Sequence, residues 1–178
     1  MNELSAINYI SYFKSPLGNI LLASDGEFLT GLWFEKQKYY AENLSNNFME
    51  KNLPIFEESF NWLDIYFSGK EPDFMPKIKM KATDFRIKVW QILQSIPYGQ
   101  TMTYKQIAEI IAKERKINRM SAQAIGGAVG HNPISIIIPC HRVIGSKGDL
   151  TGYAGGIDKK LFLLNLEKPV VVKGNTSL

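Results

Sequence analysis

The chain has 178 residues, 45% of them hydrophobic, enough to bury a core as one domain or as two small ones. No stretch reaches the roughly 18 uninterrupted apolar residues of a membrane helix, the N-terminus lacks a signal peptide's basic start and apolar run, and a single cysteine excludes an intramolecular disulfide, so a cytoplasmic protein with no membrane partner is expected. The net charge of +4 divides unevenly, with 7 lysines against 11 acids in residues 1–80 and 14 Lys or Arg against 6 acids in residues 81–178, so counterion release would draw a polyanion to the C-terminal half.

Residues 9–13, 19–24 and 28–34 read as strands, parted by Lys14-Ser15-Pro16-Leu17-Gly18 and by the turn dipeptide Asp25-Gly26, which predicts a small antiparallel sheet. Residues 36–51 are polar and read as helical in part. Over 55–67, Phe56, Phe60, Leu63 and Phe67 recur at spacings of four, three and four, one face of a helix. Trp62 and Tyr66 widen that face, and the aromatic stripe reads as packing of the helix on the sheet. Ser68-Gly69 stops it, and Pro72 and Pro76 make 70–81 a linker. Residues 1–80 contain neither Cys nor His, so no tetrahedral zinc site of those ligands can be assembled there.

Past the linker, Thr83 or Asp84 can cap a helix whose Phe85, Val89, Ile92 and Leu93 share a face, ended by Pro97-Tyr98-Gly99. Thr103 and Gln106 have capping-box spacing, Met102 and Ile107 form a hydrophobic staple, and Ile107, Ala108, Ile110 and Ile111 give this second helix a buried side. The basic run 113–119 leads to a third helix over 121–130, with a further staple from Met120 to Ile125. The pair reads as a helix-turn-helix whose second member is the recognition helix. That helix is built of Ala122, Ala124, Gly126, Gly127, Ala128 and Gly130, and each interior glycine costs about 1 kcal/mol relative to alanine. Something must approach its backbone closely, either a neighbouring helix or a nucleic acid.

The apolar run Ile136-Ile137-Ile138 reads as strand-like and delivers Cys140 behind Pro139 and in front of His141. A thiol attacks as thiolate, and with an ordinary pKa of roughly 8.5 it needs a nearby imidazole or helix N-terminus; the alternative is a small buried hydrophobe. His131, at a helix end, reads as a surface residue. Residues 145–149 are turn-rich, 157–167 read as a closing helix through Leu161, Leu164 and Leu166, and the residues from 168 on read as a loose tail.

Pro139-Cys140-His141-Arg142-Val143, preceded by Asn132-Pro133 and followed by Gly152-Tyr153 and Gly155-Gly156, resembles the active-site signature of the O6-alkylguanine-DNA alkyltransferases, also called methylated-DNA-protein-cysteine methyltransferases. The similarity runs from Thr103-Tyr104-Lys105-Gln106-Ile107-Ala108 to Glu167 and covers most of residues 85–167. The resemblance implies an α+β fold in two domains. Residues 1–80 would be ribonuclease H-like, a small antiparallel sheet with a helix and the linker. Residues 81–178 would be a mostly helical DNA-binding and active-site domain with a helix-turn-helix of winged-helix type. The implied activity is direct, stoichiometric repair of O6-alkylguanine, with O4-alkylthymine as a further candidate; the alkyl group passes to Cys140 and the protein is consumed. The implied partner is double-stranded DNA with alkylated bases, met by a monomer that uses no cofactor and no metal, although some members hold zinc in the N-terminal region.

By the same resemblance, His141 takes the thiol proton through a bound water, Glu167 holds the imidazole, and Asn132 fixes the turn after the recognition helix. Tyr104, Tyr153 and the backbone of Val143, Ala154 and Gly155 hold a base turned out of the duplex. Tyr104, Lys105, Ser121, Ala122, Gln123, Ala124, Gly126 and Ser146 meet the DNA, with the small-residue helix in the minor groove, whose degenerate code permits binding at any sequence. Lys105, Arg115, Lys116, Arg119 and Lys147 are the expected basic contacts, all after residue 81. Two positions depart from the family pattern: Gln123 stands where many members carry an arginine wedge, and Ala154 stands where serine is common, leaving only a backbone donor. Two other functions compete. A related damage-marking module lacks the cysteine that this chain has. A turnover cysteine hydrolase would need Cys140 and His141 to pair directly, which neighbours on an extended chain do not do.

Overall fold

A computed structural model describes residues 6–168; the expected tail lies, from 169 on, outside the described residues. β1 (Asn8–Ser15), β2 (Gly18–Ser24) and β3 (Leu29–Phe34) pair as an antiparallel meander, with Tyr9 opposite Ser24 and Ile20 opposite Phe34. Asp25 shapes the β2–β3 turn, its Oδ1 accepting from the N–H groups of Glu27 and Phe28 at 3.1 and 2.9 Å. The partial helix expected over 36–51 does not form, although Ala41 and Leu44 pack against the buried cluster of Ile10, Leu21, Ala23 and Trp33. Left-handed backbone at Lys36, Tyr39 and Ala41 (φ 60°, 59° and 52°) turns the chain instead, and a short β4 (Phe48–Glu50) follows. β4 runs parallel to β1, so the four-stranded sheet, in order β3-β2-β1-β4, is mixed and corrects the antiparallel expectation.

α1 (Pro54–Phe67) opens on proline, whose missing N–H costs nothing in a first turn. Its fully buried Phe56, Leu63 and Tyr66 pack with the sheet. α2 (Asp84–Gln94) is capped by Thr83. α3 (Tyr104–Arg115) carries the capping box: Thr103 Oγ1 accepts from the Gln106 N–H at 3.1 Å, and Gln106 Oε1 accepts from the Thr103 N–H at 2.8 Å. α4 (Ala122–Gly130) follows, and α5 (Ile157–Glu167) closes the described chain. Beside the α3–α4 pair, β5 (Met102–Thr103) and β6 (Val143–Ile144) form a parallel two-stranded sheet that ties the start of α3 to the segment after the cysteine.

Leu22 and Phe34 of the sheet, Phe56 of α1, and Trp90, Ile107 and Ile134 of the C-terminal half belong to one buried apolar cluster. The edge of β3 joins these parts. Leu29 N–H donates to Lys77 O at 2.8 Å, Leu32 N–H donates to Pro133 O at 2.8 Å, and Ser135 N–H donates to Leu32 O at 2.9 Å. The segment leading to the cysteine is thereby anchored to the sheet just before the site.

Candidate active site

Residues 136–138 are not a strand. After Ile134 the chain turns on itself, with Ile137 N–H donating to Ser135 O at 2.8 Å and Ile138 N–H to Ile134 O at 3.0 Å. Ile136 takes φ 69°, a left-handed conformation that costs a residue other than glycine about 1–3 kcal/mol. Asn132 holds the turn from within: its Nδ2 donates to Ile138 O at 2.7 Å and its Oδ1 accepts from the Ile134 N–H at 3.0 Å. One amide side chain thus supplies the pairing that a neighbouring strand would give. Cys140–Arg142 form a single 3-10 turn, so the extended-chain argument against a Cys140–His141 pair does not apply. The imidazole itself argues against that pair, because Nε2 is engaged elsewhere and Nδ1 has no protein partner.

Glu167 is the hub of a buried polar network. Its Oε1 lies 2.6 Å from His141 Nε2, accepts from the Tyr66 hydroxyl at 2.8 Å and accepts from Arg142 Nη2 at 2.9 Å. Its Oε2 accepts from Arg142 Nε at 2.9 Å and from the Gly99 N–H at 3.1 Å. Burial alone would raise this carboxyl, but the hydrogen bonds from His141 and Arg142 carry it down to about 2. Burial pushes the His141 pKa below its ordinary value, with Glu167 opposing. A neutral imidazole beside an ionised carboxylate must carry its hydrogen on Nε2, which leaves Nδ1 a bare, buried acceptor.

Cys140 is 4% exposed, and burial raises its pKa against the pull of Asn132 and Lys160. It lines a cavity of about 560 Å³ with Tyr104 at the head of α3, Gln123 and Gly126 of α4, Tyr153 and Ala154, and Lys38 and Tyr39 of the N-terminal half. The Tyr104 hydroxyl donates to Thr151 O at 3.0 Å, and the Lys160 ammonium donates to Thr151 O and Gly152 O at 3.4 and 3.1 Å. Two side chains therefore hold the 151–152 backbone at the cavity. Burial lowers the Lys160 pKa to about 8, against the influence of Cys140. The buried Tyr153 hydroxyl lies near enough to Cys140 for burial and the thiol to raise its pKa, yet it makes no hydrogen bond of ordinary geometry. Val143 is fully buried and Gly155 is closed in by Tyr153 and Phe34, so neither lines the cavity.

Tyr104, Lys105, Ala122, Gly126 and Ser146 meet around a neighbouring cleft of about 320 Å³ that shares Tyr104 and Gly126 with the first. Ser121 caps α4, accepting from the Ala124 N–H at 3.3 Å, and Ser121, Gln123 and Ala124 are exposed. The glycines of α4 are loosely covered: nothing lies within 4 Å of where a Cβ on Gly127 would stand, and Gly126 and Gly130 make only ordinary contacts at 3.9 Å, with Tyr104 of α3 and with Tyr39. Ile125, Ala128 and Val129 supply its buried side. Lys105 reaches Glu109 only at 4.0 Å, and Arg115 lies over the Phe85 ring at 5.2 Å.

Three residues of this constellation carry no separate sequence signal. Tyr66 is hidden in the aromatic stripe of α1, Lys160 beside Lys159 looks like a solvated pair, and Arg142 stands inside the signature with no role attached. His131, expected at the surface, is instead stacked on Tyr39 with its Nδ1 2.8 Å from Glu42 Oε2.

Two family models match the chain: the 6-O-methylguanine DNA methyltransferase ribonuclease-like domain over residues 8–80 and its DNA binding domain over residues 84–169. The methylated-DNA-protein-cysteine methyltransferase of Methanosarcina barkeri is 48% identical over 160 residues, spanning 90% of this chain and 97% of that protein. That of Haemophilus influenzae is 42% identical over 168 residues, spanning 93% and 90%. Among solved structures, Mycobacterium tuberculosis OGT in complex with DNA superposes with a TM-score of 0.77 at 39% identity, covering 91% of this chain and 92% of that one.

Proposed function

The chain belongs to the 6-O-methylguanine DNA methyltransferase family, and from that premise we propose that Cys140 is the alkyl acceptor and that His141 and Glu167 activate it. The protein is a methylated-DNA-protein-cysteine methyltransferase that repairs alkylated DNA by moving the alkyl group onto a cysteine, and the chain has one cysteine. The assignment of roles is carried by the orientation of His141: Glu167 accepts the hydrogen bond from Nε2–H, which leaves Nδ1 as the free base.

The thiol proton passes to Nδ1 through a bridging water, and Glu167 stabilises the imidazolium that forms. The sulfur then attacks the alkyl carbon of the lesion; the S–C bond forms as the C–O6 bond breaks, and the electron pair goes to the guanine. Because Cys140 is buried, the damaged nucleotide leaves the stack and enters the cavity, where Tyr104, Tyr153 and the backbone of Ala154 hold it. Tyr104, Lys105, Ala122, Gly126 and Ser146 around the second cleft, with Ser121, Gln123 and Ala124, form the duplex-contacting face, and the open glycine side of α4 gives the DNA backbone room. The working form is a reduced thiol, which fits a cytoplasmic protein. Residues 1–80 and 81–178 are the two proposed domains, supported by family matches on either side of residue 81.

Incubation with a duplex carrying O6-methylguanine tests this directly. The expected product is the protein heavier by one methyl on Cys140, with no second turnover. A methyl on any other residue, or repeated turnover, overturns the assignment.

A further inference from the structure

The segment from 35 to 42 lies in the acidic half of the chain, yet its Lys38 and Tyr39 line the cavity together with Tyr104, Gln123 and Gly126 of the helix-turn-helix. It is built to hold one shape. Lys36, Tyr39 and Ala41 all take left-handed backbone, a conformation that persists only where the surroundings impose it. Gln37 is buried, and its Oε1 accepts from the Phe34 N–H at 2.8 Å. The Lys38 N–H donates to Ala154 O at 2.9 Å, which ties the segment to the loop beside Cys140. At its other side Tyr39 stacks on His131, with ring centroids 3.7 Å apart, and Glu42 meets His131 Nδ1 at 2.8 Å, which ties it to the end of α4. The strap therefore bridges the two walls between which a nucleotide must pass.

Lys38 is exposed at this mouth, its ammonium 5.0 Å from the Tyr39 ring centroid, and no carboxylate pairs with it among the described residues. When a base is turned into a cavity, its phosphates stay outside with the backbone, at the rim. A lone ammonium at that rim meets the charge left there.

We propose that the strap is a second arm of the DNA interface, in which Lys38 binds a phosphate flanking the everted nucleotide and Tyr39, held by His131 and Glu42, positions it. This rests on the alkyl-transfer reading and extends the interface beyond the basic half of the chain. The expected basic contacts after residue 81 then serve the duplex on one side of the lesion pocket, and Lys38 serves the other.

Transfer from duplex O6-methylguanine and from free O6-benzylguanine, which has no phosphate, is measured over a salt series for wild type, Lys38→Gln, Lys38→Arg and Tyr39→Ala. Methylation of wild type upholds the transfer chemistry whatever the variants do, so the two readings fail separately. For Lys38→Gln the ratio of duplex to free-base rate falls roughly five-fold, the size of one exposed charge contact. The slope of log rate against log salt becomes shallower by about one. Lys38→Arg restores both, and Tyr39→Ala lowers the ratio as Lys38→Gln does. An unchanged ratio and slope in Lys38→Gln overturns the proposal. So does equal slowing on both substrates, which would make the strap a wall of the pocket and nothing more.

Discussion

Glu167 Oε1 lies 2.6 Å from His141 Nε2, and the two side chains are 1% and 0% exposed. Because the carboxylate can only accept, this contact dictates which imidazole nitrogen carries the hydrogen and which is left as a base. Arg142 and Tyr66 then hold the carboxylate in place, so the proposed activation of Cys140, at the start of a 3-10 turn, runs through a glutamate at the end of α5. Cys140→Ala removes the acceptor and none of these supports. It should abolish methyl transfer while keeping affinity for O6-methylguanine duplex, as read by intact mass and by a binding titration. Residual transfer in that variant would mean the acceptor lies elsewhere.

The same network makes stability depend on pH in a defined window. The Glu167 carboxyl is held at about 2 in the folded state, below its ordinary 4.5. Its stabilisation is therefore complete above about pH 4.5 and is lost as the pH falls through the folded value. A difference of this size corresponds to about 3 kcal/mol. Glu167→Gln should lose a comparable amount at neutral pH, because the Arg142 guanidinium is left buried without its counter-charge. Denaturant midpoints between pH 2 and 7 check both points: the variant's curve should be flatter across the acidic window, and a parallel curve contradicts the account.

Tyr66→Phe keeps the ring, which stacks on Trp62 at 5.3 Å, and deletes only the hydroxyl on Glu167. A hydrogen bond to a charged group contributes about 1.5–3 kcal/mol, so a loss of stability near the lower figure is expected. Methyl transfer should slow as well, by less than in Glu167→Gln, since His141 and Arg142 still hold the carboxylate. Transfer at the wild-type rate would reduce Tyr66 to a packing residue.

How legible the site was in the sequence follows from how local each contact is. Thr103 and Gln106 cap α3 through bonds spanning three residues, and a spacing rule reads them. Tyr66 and Glu167 are 101 residues apart, and no periodicity joins them. The run Ile136-Ile137-Ile138 fits a strand as well as a buried turn; what decides is the Asn132 side chain, which takes the hydrogen bond of Ile138 O. β4 has three exposed residues and no alternation, so its parallel pairing with β1 had nothing local to announce it. Cys140 stands out as the lone thiol in front of His141, and Glu167 is reached only through the family resemblance, whereas Lys160 and the Tyr39–His131 stack need the fold.

Gly155 is required for space. A Cβ there would stand 2.9 Å from the Tyr153 ring and 3.2 Å from Phe34, closer than unstrained carbons approach. Gly155→Ala should cost about 1–3 kcal/mol through overpacking and push Tyr153 toward the cavity that Cys140 lines. Transfer from free O6-benzylguanine should fall with it. A variant of wild-type stability and rate would show that the ring moves away freely.

Substitution of Gln123 tests whether extrusion of the base can be separated from the transfer step. It is exposed in the first turn of α4 and lines, with residues 151–154, the cavity that Cys140 lines. A side chain there can fill the gap that an everted nucleotide leaves in the stack, a step that free O6-benzylguanine bypasses. Unpairing and unstacking cost a few kcal/mol, so loss of a good wedge should slow the reaction on the order of ten-fold to a hundred-fold. Gln123→Ala is therefore expected to slow transfer from duplex O6-methylguanine far more than transfer from the free base. Gln123→Arg should match or exceed wild type on the duplex, because a guanidinium adds stacking and attraction to phosphate. Both substrates react at the same thiol, so the ratio of the two rates isolates eversion from chemistry. Equal slowing on both would make Gln123 a pocket residue and leave the wedge to another side chain of α4.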